Sequence, residues 1–107
     1  MTEKSLQARV MYRAKRDGWT VARVGRGWVG GEGGAFRTPT NAGWPDLVLF
    51  KPGQSILAME LKRERGIIAQ AQLDWLALMR ACGIVAGVVR PSDLREGRVD
   101  AILRGHG

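Results

Sequence analysis

The chain has a single cysteine, Cys82, so no disulfide can form within it and no cysteine-based metal site is available. Set between Ala81 and Gly83, that thiol is expected to be small, buried and inert at a helix end. The one histidine, His106, stands next to the last residue and is read as frayed and silent. Long apolar runs are missing: none approaches the roughly 18 to 20 residues that cross a bilayer. Nor does any segment combine a basic face with the broad apolar face that a membrane surface selects. The opening Met1-Thr2-Glu3-Lys4-Ser5 lacks a signal peptide's apolar stretch, and a cytoplasmic setting is expected. Acidic residues are scarce as well. Ten Asp and Glu stand against seventeen Lys and Arg, a formal charge of +7 that favours a polyanionic partner.

What is present suits one domain spanning 1–107. With 107 residues, 45% of them hydrophobic and 25% charged, the chain can bury a modest core without staples. Leu6, Val10 and Ala14 recur at spacing four, Thr2 can cap and Gly18 can stop, so Thr2 to Arg16 reads as a helix. Trp19 to Val24 alternates like a strand. Pro45 to Phe50 and Ser55 to Lys62 are two more strands, joined through the turn signal Lys51-Pro52-Gly53-Gln54. Ala69 to Cys82 is a second helix, with Leu73, Trp75, Leu76 and Met79 on its inward side. Ile84 to Val89 follows as an apolar strand, and Pro91-Ser92 opens a last helix from about Asp93 to Arg104. The order α-β-β-β-α-β with a C-terminal helix predicts an α/β fold, a mixed sheet flanked by helices. Its fourth strand, reached through a helical crossover, is expected to lie parallel to a neighbour.

Two clusters fourteen residues apart, Gly43-Trp44-Pro45-Asp46-Leu47 and Glu60-Leu61-Lys62, place charge inside apolar strand-like runs. A carboxylate there is costly unless paired or bound to a cation. Alternate strand residues share a face, so Glu60 and Lys62 line up about 7 Å apart. If Phe50 pairs with Ser55, Asp46 faces Met59 and is lost to the other side. Pairing Phe50 with Ile56, through a five-residue loop or a bulge, sets Asp46 opposite Glu60, and that register is expected. Two carboxylates so placed repel unless a cation sits between them. Mg²⁺, a hard cation that takes oxygen ligands, is the natural occupant, with the Lys62 ammonium beside its water. Singly, Asp46 has an ordinary explanation as a strand-start residue, and Glu60 and Lys62 as an ion-paired strand edge; together they point to metal-dependent hydrolysis. Glu3 continues the first helix's buried stripe and offers a third carboxylate, although it is also a favourable charge in a first helical turn. Gln72, with Trp75, Leu76 and Met79 at +3, +4 and +7, points toward the sheet, where a buried amide needs partners.

The glycine-dense segment from Gly25 to Gly43 contains Gly25-Arg26-Gly27-Trp28-Val29-Gly30, a match to the dinucleotide-binding pattern after a strand. That pattern needs a helix to begin within it, and Gly31-Glu32-Gly33-Gly34 forbids one, so no nucleotide cofactor is expected. DNA contact suits the segment better: Arg23, Arg26 and Arg37 bring charge, and Trp28 and Phe36 offer stacking surfaces.

A helix-borne Glu3, then Gly43-Trp44-Pro45-Asp46-Leu47, then Glu60-Leu61-Lys62, then Gln72-Leu73-Asp74-Trp75-Leu76, resembles the VRR-NUC branch of the PD-(D/E)XK nuclease superfamily. The form it is similar to is the compact stand-alone one of phages and bacteria. The resemblance implies Mg²⁺- or Mn²⁺-dependent phosphodiester hydrolysis. Asp46 and Glu60 would be principal metal ligands, the Leu61 carbonyl a further one, and Glu3 a ligand directly or through water. Lys62 would activate the attacking water and Gln72 would support the site. Arg63 and Arg65, just after the motif, join Arg23, Arg26, Trp28 and Arg37 as DNA-contact candidates. The resemblance further implies a homodimer acting on branched, Holliday-junction-like DNA, in a bacterial cell or a phage-infected host. Ile84, Val85, Val88 and Val89, with Val99 to Leu103, could form that interface or the core. The runner-up activities are cleavage of flaps, ends or single strands and, from another class, a DNA-binding module with a vestigial nuclease site.

Overall fold

The computed structural model describes residues 1–23 and 43–105. Helix α1, Glu3–Arg16, forms on the predicted stripe, with Leu6, Val10 and Ala14 fully buried. The Thr2 hydroxyl accepts the Ser5 N–H at 3.0 Å, satisfying one of the donors that every helix start leaves open. Past the Asp17 cap, Gly18 turns the chain at φ +91°, a left-handed conformation cheap only for glycine. Strand β1, Thr20–Arg23, follows, then β2, Leu47–Phe50, β3, Leu57–Leu61, helix α2, Gln70–Ala81, and β4, Val85–Val89. Two short helices, α3 at Pro91–Arg95 and α4 at Arg98–Leu103, close the described chain. The sheet order is β1-β2-β3-β4. The first three strands are antiparallel, and β4 runs parallel to β3 through the α2 crossover, as expected.

The β2–β3 register places Leu47 against Met59, Val48 against Ala58 and Leu49 against Leu57. Extended one step each way, it sets Phe50 against Ile56 and Asp46 against Glu60, the register argued from sequence. The turn responsible is tight: Gln54 N–H donates to the Lys51 carbonyl at 3.0 Å, with Pro52 and Gly53 (φ +81°) between them. Proline before a positive-φ glycine is the type II signature.

Period-two alternation gives the sheet two faces. On one, Leu47, Leu49, Leu57, Met59, Leu61 and Val89 pack with α1 and with Val99 and Leu103 of α4 in a single buried cluster. Trp19 joins it, its indole N–H donating to the Leu103 carbonyl at 3.0 Å and tying the last helix to the start of β1. The other face carries Val48, Ala58 and Glu60, and there α2 packs with Leu76 and Met79 buried. Each fully buried leucine removes enough apolar surface to contribute about 2 kcal/mol.

Four sequence expectations give way. Leu73 is 39% exposed, because the 3.6-residue period carries it to the flank of a helix whose buried line is Leu76 and Met79. Cys82 is exposed: it caps α2, beyond the last turn that touches the sheet. The single last helix is two, because Gly97 at φ +81° interrupts it between Arg95 and Arg98. Strand ends are shorter than the patterns suggested, as proline and turn residues occupy 45–46 and 52–55; Val24 lies outside the described residues. Of the residues weighed as interface or core, Val89, Val99 and Leu103 are core, whereas Val85 is 48% exposed.

Candidate active site

Gly43 through Asp46 enter β2 from a glycine that no other residue could replace cheaply. Its φ is +84°, and a Cβ there would stand 2.5 Å from the Ala71 carbonyl carbon and oxygen and 2.7 Å from Gln72 N. The backbone before β2 therefore lies directly on the first turn of α2. Trp44 reinforces the contact, its ring meeting Trp75 of α2 edge-on with centroids 4.9 Å apart. Pro45, fully buried, fixes the entry into the strand.

Asp46 follows at the end of the sheet. One of its carboxylate oxygens accepts the Leu61 N–H of β3 at 2.8 Å, a bond that holds the side chain across the β2–β3 ladder. Glu60 is 3% exposed, the one charged residue among the buried side chains described. Its Oε2 accepts the Gln72 amide at 2.8 Å, while no donor reaches Oε1 although that atom is buried. Gln72 is itself oriented: its oxygen accepts the N–H of Ala69, the N-cap residue, at 2.9 Å, the half of a capping box that the third helical residue supplies. Lys62 continues the strand, half-buried, with its N–H donating to the Val89 carbonyl at 3.0 Å.

The electrostatics follow from this packing. Burial, first, and the charge of Asp46, second, push the Glu60 carboxyl from 4.5 up to about 8; the two carboxyl groups lie close enough to share a proton. Lys62 pulls the other way and Glu3 adds a small further push. Without a cation, then, Glu60 is held protonated near neutrality. A divalent ion would reverse that preference, and Oε1 is a buried acceptor with nothing yet donating to it.

Of the residues named from sequence, Asp46, Glu60, Lys62, Gln72 and the Leu61 backbone are brought together. Glu3 is not part of that group. Its carboxylate accepts the Arg63 N–H at 3.4 Å and lies 3.9 Å from the Arg63 guanidinium, and it feels Glu60 only at a distance. No set of three or more His, Cys, Asp or Glu side chains positioned to hold one metal occurs among the described residues. Arg23 and Arg65 are exposed, as is Arg63 beside Glu3. Arg26, Trp28 and Arg37, with the glycine pattern and Phe36, lie outside the described residues.

Sequence reasoning passed over Arg90. At the end of β4, its Nη1 donates to the carbonyls of Arg63, Glu64 and Gly66 at 2.7, 3.0 and 2.9 Å, organising the turn between Lys62 and α2. Glu64 is fastened from the same side by Ser92 and Arg95. The available signal was an arginine ending an apolar strand just before a Pro-Ser helix start; Asp93 accepts the Arg90 N–H at 2.7 Å. The close approach of Gly43 to α2 and the Trp44–Trp75 contact also escaped notice, since both depend on where α2 docks.

Comparison with known proteins agrees with this architecture. No curated protein matches the chain by sequence. A solved structure of a VRR-NUC domain is similar with a TM-score of 0.70 at 20% identity, over 100% of each chain, which establishes a shared fold. The α/β architecture, a mixed four-stranded sheet with flanking helices, is the one shared with that structure. Residues 37–93, just over half of the chain and the stretch bearing Asp46, Glu60, Lys62 and Gln72, match the VRR-NUC domain, a nuclease-type family, and the chain belongs to it.

Proposed function

We propose that this protein is a Mg²⁺- or Mn²⁺-dependent DNA endonuclease that favours branched, Holliday-junction-like DNA. The observation that carries the reading is the buried Glu60 carboxyl directly across the ladder from Asp46, with Oε1 lacking any donor. The donor set fits a hard divalent cation: two carboxylates on one sheet face and the Leu61 carbonyl beside them. Bound there, the ion would act as a Lewis acid toward a phosphodiester oxygen and make its water more acidic. The chain's own groups supply the rest. Gln72 holds the Glu60 carboxylate in one orientation, and the Leu61 N–H does the same for Asp46. Lys62, two residues beyond Glu60 on the same face, places an ammonium where it can orient a water and offset the charge that builds on phosphorus. Glu3 and its partner Arg63 stand at the edge of the site, where Glu3 could act through a water.

A homodimer would furnish the two sites needed to cut two strands symmetrically; mass in solution measures it. A small basic nuclease of this kind would work in the cytoplasm, where a cell's or an infecting phage's DNA is found. The test is metal-dependent cleavage of a four-way junction, a flap and a linear duplex by wild type, Asp46→Asn and Lys62→Ala. Wild type should cut the junction fastest, and each variant should lose about 100-fold or more in rate. Wild type that binds DNA yet cuts none of the three with either ion would leave a binding module with a vestigial site as the correct description.

A further inference from the structure

Four of the five cations of α1 fall into two pairs that the fold treats differently; the fifth, Arg9, is without an ion pair among the described residues and lies on the Arg13 and Arg16 side. Arg13 and Arg16 are answered by the protein's own acids, through Asp100 at 3.0 and 3.2 Å and Asp17 at 3.1 Å. Lys4 and Lys15, on the neighbouring strip of the helix, enter no ion pair among the described residues, and neither does Arg23 at the end of β1. These three line one open groove of about 430 Å³, with Met11 and Tyr12 also in its wall and no acidic side chain there among the described residues. Met11 packs down onto the core and makes the floor. Tyr12 does the opposite: it is 70% exposed, a large aromatic side chain left in water on the border between this groove and the one lined by Arg9, Arg13 and Arg16.

We infer that this groove is a track for an unpaired DNA strand leaving the active site, with Lys4, Lys15 and Arg23 on phosphates and Tyr12 stacked on a base. The inference rests on the nuclease reading and extends it to a part of the substrate. Unneutralised cations favour a polyanion, and release of the counterions condensed on a nucleic-acid backbone makes its binding favourable at low salt. The exposed phenol selects among polyanions, because only an unpaired base offers a free face for stacking. Position agrees. Arg23 pairs with Leu47, the neighbour of Asp46, and Lys4 follows Glu3, so the groove reaches the end of the sheet where the carboxyl pair stands, on the α1 face across the sheet edge from the α2 face that carries Glu60. From Lys4 to Lys15 it runs about 16 Å along the helix, enough for a few nucleotides.

The measurement is fluorescence anisotropy of a labelled single strand and of a blunt duplex in EDTA, where no cleavage occurs. It is repeated across a salt series for wild type, Tyr12→Ala, Lys4→Ala/Lys15→Ala, and Arg13→Ala/Arg16→Ala. Tyr12→Ala should weaken single-strand binding about 10-fold, as for loss of one stacked base, and change duplex binding far less. Lys4→Ala/Lys15→Ala should lower the log–log salt slope by about 1.4, two phosphate contacts on a single strand. Arg13→Ala/Arg16→Ala should leave the slope unchanged. If wild type binds the strand with a steep salt slope, and both groove variants match it, the track is refuted while the nuclease reading stands on its own cleavage assay. Equal losses on strand and duplex would also refute it, since they would remove the stacking argument. Failure of wild type to bind either probe, together with absence of cleavage, would overturn both readings.

Discussion

Replacing Glu60 by Gln should stabilise the metal-free protein in alkaline solution while removing its activity. The carboxyl sits at about 8 when folded and at an ordinary 4.5 when the chain is unfolded. A raised acid contributes fully below the unfolded value, and its contribution is lost as pH climbs through the folded one. Between about pH 5 and about pH 8.5 the unfolded chain has already released the proton while the folded chain resists. The gap, at about 1.4 kcal/mol per pH unit, amounts to about 5 kcal/mol when ionisation is complete and about 4 kcal/mol over that interval. Glutamine is close to the protonated acid in shape: its oxygen can still accept from Gln72 and its amide can donate to Asp46. Urea denaturation in EDTA, followed by the fluorescence of the four tryptophans, should therefore give near-equal stabilities at about pH 5. At about pH 8.5 the variant should lead by about 2 to 4 kcal/mol. Mg²⁺ should raise the wild-type midpoint at the higher pH, as any ligand of the folded state does, and leave the variant almost unmoved. A Glu60→Gln protein destabilised equally at both pH values would refute the reasoning, because the cost would then be packing and not charge.

Other perturbations bear on how the site is held. Gly43→Ala forces a Cβ to within 2.5 Å of the α2 backbone at φ +84°. It should cost about 2 to 4 kcal/mol by denaturant midpoint, with cleavage falling as Gln72 and Asp46 are pushed apart. Arg90→Ala removes the single group that gathers the carbonyls of Arg63, Glu64 and Gly66. Stability should drop by about 1 to 3 kcal/mol, hydrogen exchange at the Gly66 amide should quicken while core amides keep their protection, and Arg90→Lys should restore only part of that protection.

Much of the fold was legible because its signals are local. The helix stripe of Leu6, Val10 and Ala14, the Thr2 cap, the Lys51–Gln54 turn and the alternation of β2 and β3 each depend on residues within a few positions of one another. Even the Asp46–Glu60 pairing was recoverable, since a turn closed at Gln54 and period-two alternation fix which side chains share a face. Errors arose where a local pattern competes with distant packing. Leu73 fits an amphipathic helix as well as Leu76 does, and only the placement of α2 over β3 and β4 decides that one is buried and the other 39% exposed. Gly97 is tolerated in a helical pattern on propensity alone, yet its φ of +81° lets the chain turn so that Val99 and Leu103 reach the core.

The same distinction separates the site's chemistry from its precision. Asp46, Glu60 and Lys62 were visible because charge in an apolar strand is costly, and a sequence that keeps it there advertises a reason. What holds them is spread over chain segments that have no pattern in common: Gly43 lying on α2, Trp44 on Trp75, Gln72 bridging from α2 to Glu60, Arg90 binding the turn that follows Lys62. Each acts on backbone or on a single side chain across the fold, so none leaves a periodicity to read. Glu3 shows the converse. Its spacing continues the helix stripe, yet Glu3 is exposed, and the first turn of α1 delivers the carboxylate to Arg63 and not between Asp46 and Glu60. A stripe fixes which way a side chain faces; how far it reaches depends on how the helix end docks against the strand beyond it.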